Sequence, residues 1–368
     1  MRILRICPEF YSKKNPLFTG LSSHIYNISI HLKKKGVEQV ILTPNTDSEE
    51  IEGIKIVNFS SKAPFSILRS GLRAAEVSKK LGKFNAIHFH NPGFGLIALK
   101  QKEFPPLVMT LHGSPTEIKK TNSFLNKDAM YFYYLSKFAS KRIDAVCCVS
   151  PNIAKAITSE FSLPHETVHV MPSGVDNELF KSNPHVKKEL DVIVVGRLRP
   201  VKRTQDAIFA AALVTKHFPN LKMKIVGVSE TDENYSNVIS LIKKLNLEEN
   251  IELSGIVSQK ELASLYQKSK IFILTSSSEG SSKVLLESMA SGNAVIATNI
   301  LGNRDIITSK TGILYNVGDI NALSQHIKNL LNSEEKRKKM GKTAENMVKQ
   351  DYTWEKTAKK YYALYGTL

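Results

Sequence analysis

Short apolar runs rich in β-branched residues alternate with amphipathic helical segments along the whole chain, and this alternation constrains the fold more than any other feature. A strand that is apolar on both sides must be buried on both faces, and linking such strands through helices produces parallel sheets with helices packed on each side. The first half reads as a strand at Ile3–Ile6, a helix from His24 to Lys35 stopped by Gly36, and strands at Val40–Leu42 and Ile54–Val57. A helix over Leu68–Leu81 follows, then strands at Ala86–Phe89, Leu107–Leu111 and Ala145–Val149. The loop Met171–Asp176 and the polar stretch Lys181–Glu189 interrupt the pattern. It restarts at Val192–Val195, continues with a helix carrying Ile208, Ala211, Ala212 and Thr215 on one face, and passes through a strand at Lys224–Val226. A helix with Val238, Leu241, Ile242 and Leu245 turned inward comes next, and Ser258 with Glu261 forms a capping box ahead of another. Further strands fall at Ile271–Leu274 and Ala294–Ala297. The expected architecture is two doubly wound α/β domains in series, residues 1–180 and 181–351. Ligands of such sheets sit at the carboxyl ends of the strands, so the loops that follow strands should carry the chemistry.

A chain of 368 residues is long enough to build two cores. No apolar run approaches the ~20 residues of a spanning helix, and the start Met1–Cys7 is too short in apolar length for a signal peptide, which predicts cytoplasmic residence. The three cysteines, two of them adjacent at Cys147 and Cys148, form neither a disulfide framework nor a metal-ligand spacing and read as buried thiols. The net charge of +17 favours an anionic partner: phosphate, nucleic acid or lipid. Because it is spread evenly and comes with no aromatic RNA-binding motif or zinc-finger spacing, nucleic acid is not the expected partner.

Two strand-loop-helix segments in the second half carry most of the functional signal. Ser278–Glu287 directly follows the strand Ile271–Leu274, with a helix amino terminus expected at Ser281 or Ser282. Unpaired amides and the positive end of the helix dipole make that point an anion site. If Glu279 and Glu287 were both helical they would stand about 12 Å apart along the axis, too far for a glycosidase pair but suited to gripping one extended ligand at both ends. The competing reading gives Glu279 a capping role and leaves Glu287 on a solvated face. Gly196–Lys202 follows the strand Val192–Val195, where Arg197 and Lys202 supply a forked and a point cation for a diphosphate. In the first half, Gly20 lies in the turn Thr19–His24 after the first strand, and His112 stands at the exit of the strand Leu107–Leu111.

In order and spacing these motifs resemble the GT-B fold glycosyltransferases, and among them the large retaining group of family 4. The resemblance runs through Gly20 and His24, Phe84–His90, Leu111–Gly113, Asp144–Ser150, Pro172–Asp176, Gly196–Arg197 with Lys202, Glu279–Glu287, Ala294–Thr298 and Asp351–Glu355. It implies two Rossmann-like domains facing a central cleft, with a last helix over 352–368 folded back onto the first domain. It implies that Gly196, Arg197 and Lys202 hold a donor diphosphate, Glu287 the ribose and Glu279 the transferred sugar. Backbone at Ser281 and Ser282, running into Lys283 and Val284, would bind sugar and phosphate, with the base against Val257 and the loop after Val226. Gly20 would border the diphosphate, His112 would lie near the reacting carbon, and Gly20, His24 and His112 would form the acceptor side. Ser281 and Ser282 stand where the family commonly has an aromatic-glycine pair, Thr19 replaces one glycine of the first turn, and Ser173 replaces an asparagine, so donor identity does not carry over.

The expected activity is retaining transfer of a hexose or N-acetylhexosamine from a nucleotide-diphosphate sugar to a glycan or lipid-linked acceptor, with no cofactor and no metal. Peripheral contact with the inner face of a membrane would use the basic segment Leu68–Lys80 and the aromatic-basic run Met130–Phe138, which read equally well as ordinary amphipathic helices. A non-transferring enzyme of the same fold, such as a nucleotide-sugar epimerase, and a basic membrane- or nucleic-acid-binding module are the alternatives.

Overall fold

A computed structural model describes residues 1–10, 20–44, 46–59, 66–115, 127–232 and 234–368. Thr19 and the side chains of Leu68, Arg69 and Ser70, all named above, lie outside the described residues. The chain divides into two compact units, Met1–Gly174 with Trp354–Leu368, and Val175–Thr353.

Unit 1 is built on strands β1 (Arg2–Ile6), β2 (Glu38–Thr43), β3 (Glu50–Ile51), β4 (Ile54–Asn58), β5 (Ala86–Phe89), β6 (Leu107–Leu111), β7 (Ala145–Cys148) and β8 (Val168–Val170). Their order is β3-β4-β2-β1-β5-β6-β7-β8, parallel throughout except for the short antiparallel pair β3–β4. The helices are α1 (Gly20–Lys34), α2 (Ser66–Lys80), α3 (Lys127–Ser140) and α4 (Pro151–Phe161). Helix α4 shows how local chemistry sets a boundary: the Ser150 side chain accepts the Ile153 amide, Pro151 opens the first turn, and Ser162 closes it in the left-handed region. All three cysteines are buried free thiols. One face of the sheet is covered jointly by α1 and the C-terminal helix, whose Trp354, Ala358, Tyr361 and Leu364 share a core with Ile3, Ile28, Leu32 and Val108.

Unit 2 has strands β9 (Leu190–Val195), β10 (Met223–Val226), β11 (Ile251–Ser254), β12 (Ser269–Leu274), β13 (Ala294–Thr298) and β14 (Ile313–Tyr315), all parallel in the order β11-β10-β9-β12-β13-β14. This is the 3-2-1-4-5-6 order of the dinucleotide-binding sheets, with its switch point between β9 and β12. Its helices are α5 (Thr204–Thr215), α6 (Tyr235–Lys244), α7 (Gln259–Lys268), α8 (Lys283–Ala290), the one-turn α9 (Leu301–Arg304), α10 (Ile320–Leu331) and α11 (Glu334–Asp351), and the chain ends in α12 (Trp354–Thr367). The expected cap on α7 is formed, with Ser258 accepting the Glu261 amide at 3.2 Å.

The division between the units falls at Gly174–Val175, ahead of the expected 180–181. Val175 and Phe180 pack into the core of unit 2 with Tyr266, Phe272 and Leu286, and Val175 is bridged to Thr353. Tyr352 likewise belongs to unit 2, where its hydroxyl donates to the Asp305 carbonyl at 3.1 Å, so the terminal helix starts at Trp354 and not at 352.

Candidate functional site

The carboxyl ends of β9 and β12 lie side by side at the switch point of unit 2, and the chain leaves them in two loops that staple to each other. Gly196 ends β9 at φ 155°, and Gly227 ends the neighbouring β10 at φ 94°, a conformation that suits glycine. A Cβ on Gly227 would stand 3.3 Å from the Gly196 carbonyl oxygen, so the turn after β10 packs closely on the turn after β9 because Gly227 carries no side chain. Beyond Gly196 a single 3-10 turn, Pro200–Lys202, presents Lys202. The Thr275 hydroxyl donates to the Lys202 carbonyl at 2.6 Å, and the Ser277 amide donates to the Val201 carbonyl at 2.8 Å. Lys202 Nζ then meets Glu279 Oε1 at 2.6 Å, and the Ser276 hydroxyl donates to the same oxygen at 2.6 Å.

Helix α8 begins at Lys283, with Ser282 at its cap position making no side-chain cap bond. The Ser282 hydroxyl is buried and has no partner. Glu279 precedes the helix and bonds Lys202 and Ser276, so it is not a cap, and an axial separation from Glu287 does not apply. Nor is Glu287 on a solvated face: it is 1% exposed, with Lys283 Nζ 3.0 Å away in a contact not aligned as a hydrogen bond. Burial raises its pKa, with Lys283 opposing. Lys283 Nζ also donates to Gln259 Oε1 at 3.3 Å. Val284 and Val257 are half-buried and pack on the core beneath the site.

Three features of this loop system escape the sequence. Arg197 is paired with Asp232 at 3.2 Å, and Asp232 also accepts the amides of Leu198 and Ser229 at 3.2 and 3.0 Å. Burial would raise the pKa of Asp232, but those two amides and Arg197 outweigh it and hold the carboxyl below its ordinary value. Asp232 and Glu279 therefore put carboxylates beside the Gly196–Lys202 turn, where the sequence, read locally, suggested cations alone. Among the described residues no group of three or more His, Cys, Asp or Glu could hold a metal ion. Gly302 in α9 is pressed against the same loop, since a Cβ there would collide with the Gly280 carbonyl and lie 2.6 Å from that of Glu279.

In unit 1, His112 leaves β6 half-buried among three other histidines. Its Nε2 lies 3.1 Å from His90 Nδ1, and the His24 ring meets it edge-on at 4.8 Å. His24 Nδ1 is 3.1 Å from the Ser173 hydroxyl. His88 is held at both nitrogens, by Tyr365 at 2.6 Å and Thr110 at 2.7 Å, and stacks on His90 at 4.2 Å. Arg5, wholly buried in β1, donates to the Tyr365 hydroxyl at 3.2 Å, and no carboxylate pairs with it among the described residues. Burial first, then this cation, pushes His112 down to about 3, and burial dominates in lowering His24, His88 and His90 as well. All four imidazoles are therefore neutral at ordinary pH. Gly20 opens α1 on the surface, where a Cβ would meet nothing within 4 Å, so the close approach expected of it is not to a described protein atom.

A doubly wound sheet whose switch point carries a cation, a carboxylate and a helix terminus not capped by its own Ser282 is a site of the kind at which such sheets bind nucleotides. Two family models match in succession, Glycosyltransferase Family 4 over residues 18–179 and Glycosyl transferases group 1 over residues 175–347. An uncharacterised glycosyltransferase of Methanocaldococcus jannaschii is 29% identical over 349 residues, covering 93% of this chain and 92% of that one. Among solved structures, the sucrose-phosphate synthase of Thermosynechococcus elongatus matches with a TM-score of 0.86 at 18% identity, covering 100% of this chain and 99% of the other. HepE of Anabaena, solved in complex with UDP-glucose, matches with a TM-score of 0.81 at 17% identity and 100% coverage of both. This chain belongs to the glycosyltransferases of GT-B fold and is an enzyme of family 4 type.

Proposed function

We propose that this enzyme transfers a hexose or N-acetylhexosamine, with retention, from a nucleotide-diphosphate sugar to a glycan or lipid-linked acceptor. The observation that carries the reading is the meeting of Lys202 and Glu279 at the switch point of unit 2, ahead of the amino end of α8, which Ser282 does not cap. Arg197 and Lys202 take the diphosphate, amides at Ser281, Ser282 and Lys283 take phosphate and sugar, and Glu279 takes a sugar hydroxyl. Glu287 takes the ribose, and the base lies against Val257 and the loop after β10. Donor entry exchanges partners: Lys202 leaves Glu279 for the diphosphate, and the carboxylate it releases turns to the sugar. The charge developing on the leaving diphosphate is met by Arg197, Lys202 and the helix dipole, a role that leaves no requirement for a divalent ion. Gly20, His24 and His112 serve the acceptor side. The UDP-glucose complex of HepE supports a nucleotide sugar as donor.

No helix among the described residues is long and apolar enough to cross a membrane. A cytoplasmic enzyme that rests on the inner membrane face would do so through unit 1. There Leu72, Arg73, Lys79 and Lys80 of α2 and Tyr134 of α3 are exposed, and both helices pack on the 3-10 segment Pro92–Glu103, which bears exposed Leu99. Calorimetric titration with a panel of UDP-, GDP- and ADP-sugars tests the donor reading, and saturable binding of one class is expected. Absence of binding by every member would overturn it, and change of the donor sugar itself without acceptor would indicate an epimerase.

A further inference from the structure

We infer that His90 is a positioning residue that holds His112 as the Nδ1–H tautomer, so that His112 presents a hydrogen-bond donor to the reacting groups. This rests on the reading of His112 as a site residue.

The argument begins with proton counting. Two neutral imidazoles facing each other at 3.1 Å, His90 Nδ1 and His112 Nε2, share one proton between them. The other nitrogen of His90, Nε2, is buried and has no partner. If His112 donated, His90 would carry its proton on that enclosed Nε2, leaving an N–H with no acceptor. If His90 donates, only a lone pair is left unmet, which buried groups tolerate better than an orphaned N–H. His90 Nδ1–H is therefore the donor and His112 Nε2 the acceptor, and the proton of His112 must sit on Nδ1. No described residue bonds that Nδ1.

The geometry behind His90 leaves it little freedom to turn. His88 stacks on it at 4.2 Å and 29°, and is itself locked between the hydroxyls of Tyr365 and Thr110. Thr110 is in turn 2.9 Å from the Tyr361 hydroxyl, so α12 anchors the array through two tyrosines. The chain of contacts thus runs from the last helix through His88 and His90 to the histidine at the exit of β6.

Long-range proton-nitrogen spectra of the ¹⁵N-labelled full chain test this directly, with the His112 signals assigned by their loss in His112→Gln. The expected pattern is a protonated Nδ1 and a bare Nε2. His90→Phe keeps a ring against His88 but removes the hydrogen bond; it should mix the His112 tautomers and lower kcat by roughly 10- to 100-fold, the scale for loss of a positioning partner, with donor KM unchanged. His90→Gln, whose amide can donate in place of Nδ1–H, should restore the pattern and most of kcat. A native His112 protonated on Nε2, or a pattern unmoved by His90→Phe, would overturn the inference. Full activity in His112→Gln would instead overturn the reading of His112, without bearing on the tautomer.

Discussion

Replacing Glu287 by glutamine separates ligand binding from structural support, because the two roles move stability in opposite directions. The carboxyl is 1% exposed, and the cation paired with it, Lys283 Nζ at 3.0 Å, is not aligned to bond it. Burial therefore raises its pKa in the folded protein. As pH climbs past the ordinary glutamate value, the unfolded chain loses this proton first, while the folded chain still holds it. The native state then binds more protons, and stability falls with rising pH until the raised folded pKa is passed. Glu287→Gln removes that ionisation, so this loss should vanish and stability at neutral pH should hold or rise. Donor binding should suffer, since a hydrogen bond to a charged group contributes about 1.5–3 kcal/mol, or roughly 10- to 150-fold in Kd. Urea titrations at about pH 5 and about pH 8 read the first effect, and calorimetry with the bound nucleotide sugar reads the second. Unchanged Kd together with lower stability would refute the reasoning and make Glu287 a structural partner of Lys283.

Glu279→Gln keeps the Ser276 bond but removes the charge facing Lys202, and should lower kcat by at least ~10-fold with donor Kd little changed, as read by single-turnover kinetics. Lys202→Ala should depress turnover by roughly 10²- to 10³-fold, whereas excess EDTA should leave the native rate intact; loss in EDTA restored by Mn²⁺ would reassign the leaving-group role. Gly302→Ala forces a methyl against the Gly280 and Glu279 carbonyls, so it should cost about 1–3 kcal/mol in denaturant unfolding and weaken donor binding alongside. In sedimentation with anionic liposomes at low salt the protein should pellet and be released by added salt, and a protein left wholly in the supernatant would end the membrane reading.

What the sequence by itself determined was what depends on near neighbours. Strand runs such as Val192–Val195, the inward face of α6 and the cap of α7 follow from period and spacing within a few residues, and so does the placing of Gly196, Lys202 and Glu279 in loops after strands. What only the tertiary structure decided depends on which loops the sheet order brings together. Lys202 and Glu279 are 77 residues apart and touch because β9 and β12 are neighbours at the switch point. Asp232 reaches Arg197 because β10 flanks β9, and His90 reaches His112 because β5 flanks β6. The burial of Glu287 and the neutrality of the histidines arise from desolvation, a property of everything packed around a group and not of its place in the chain.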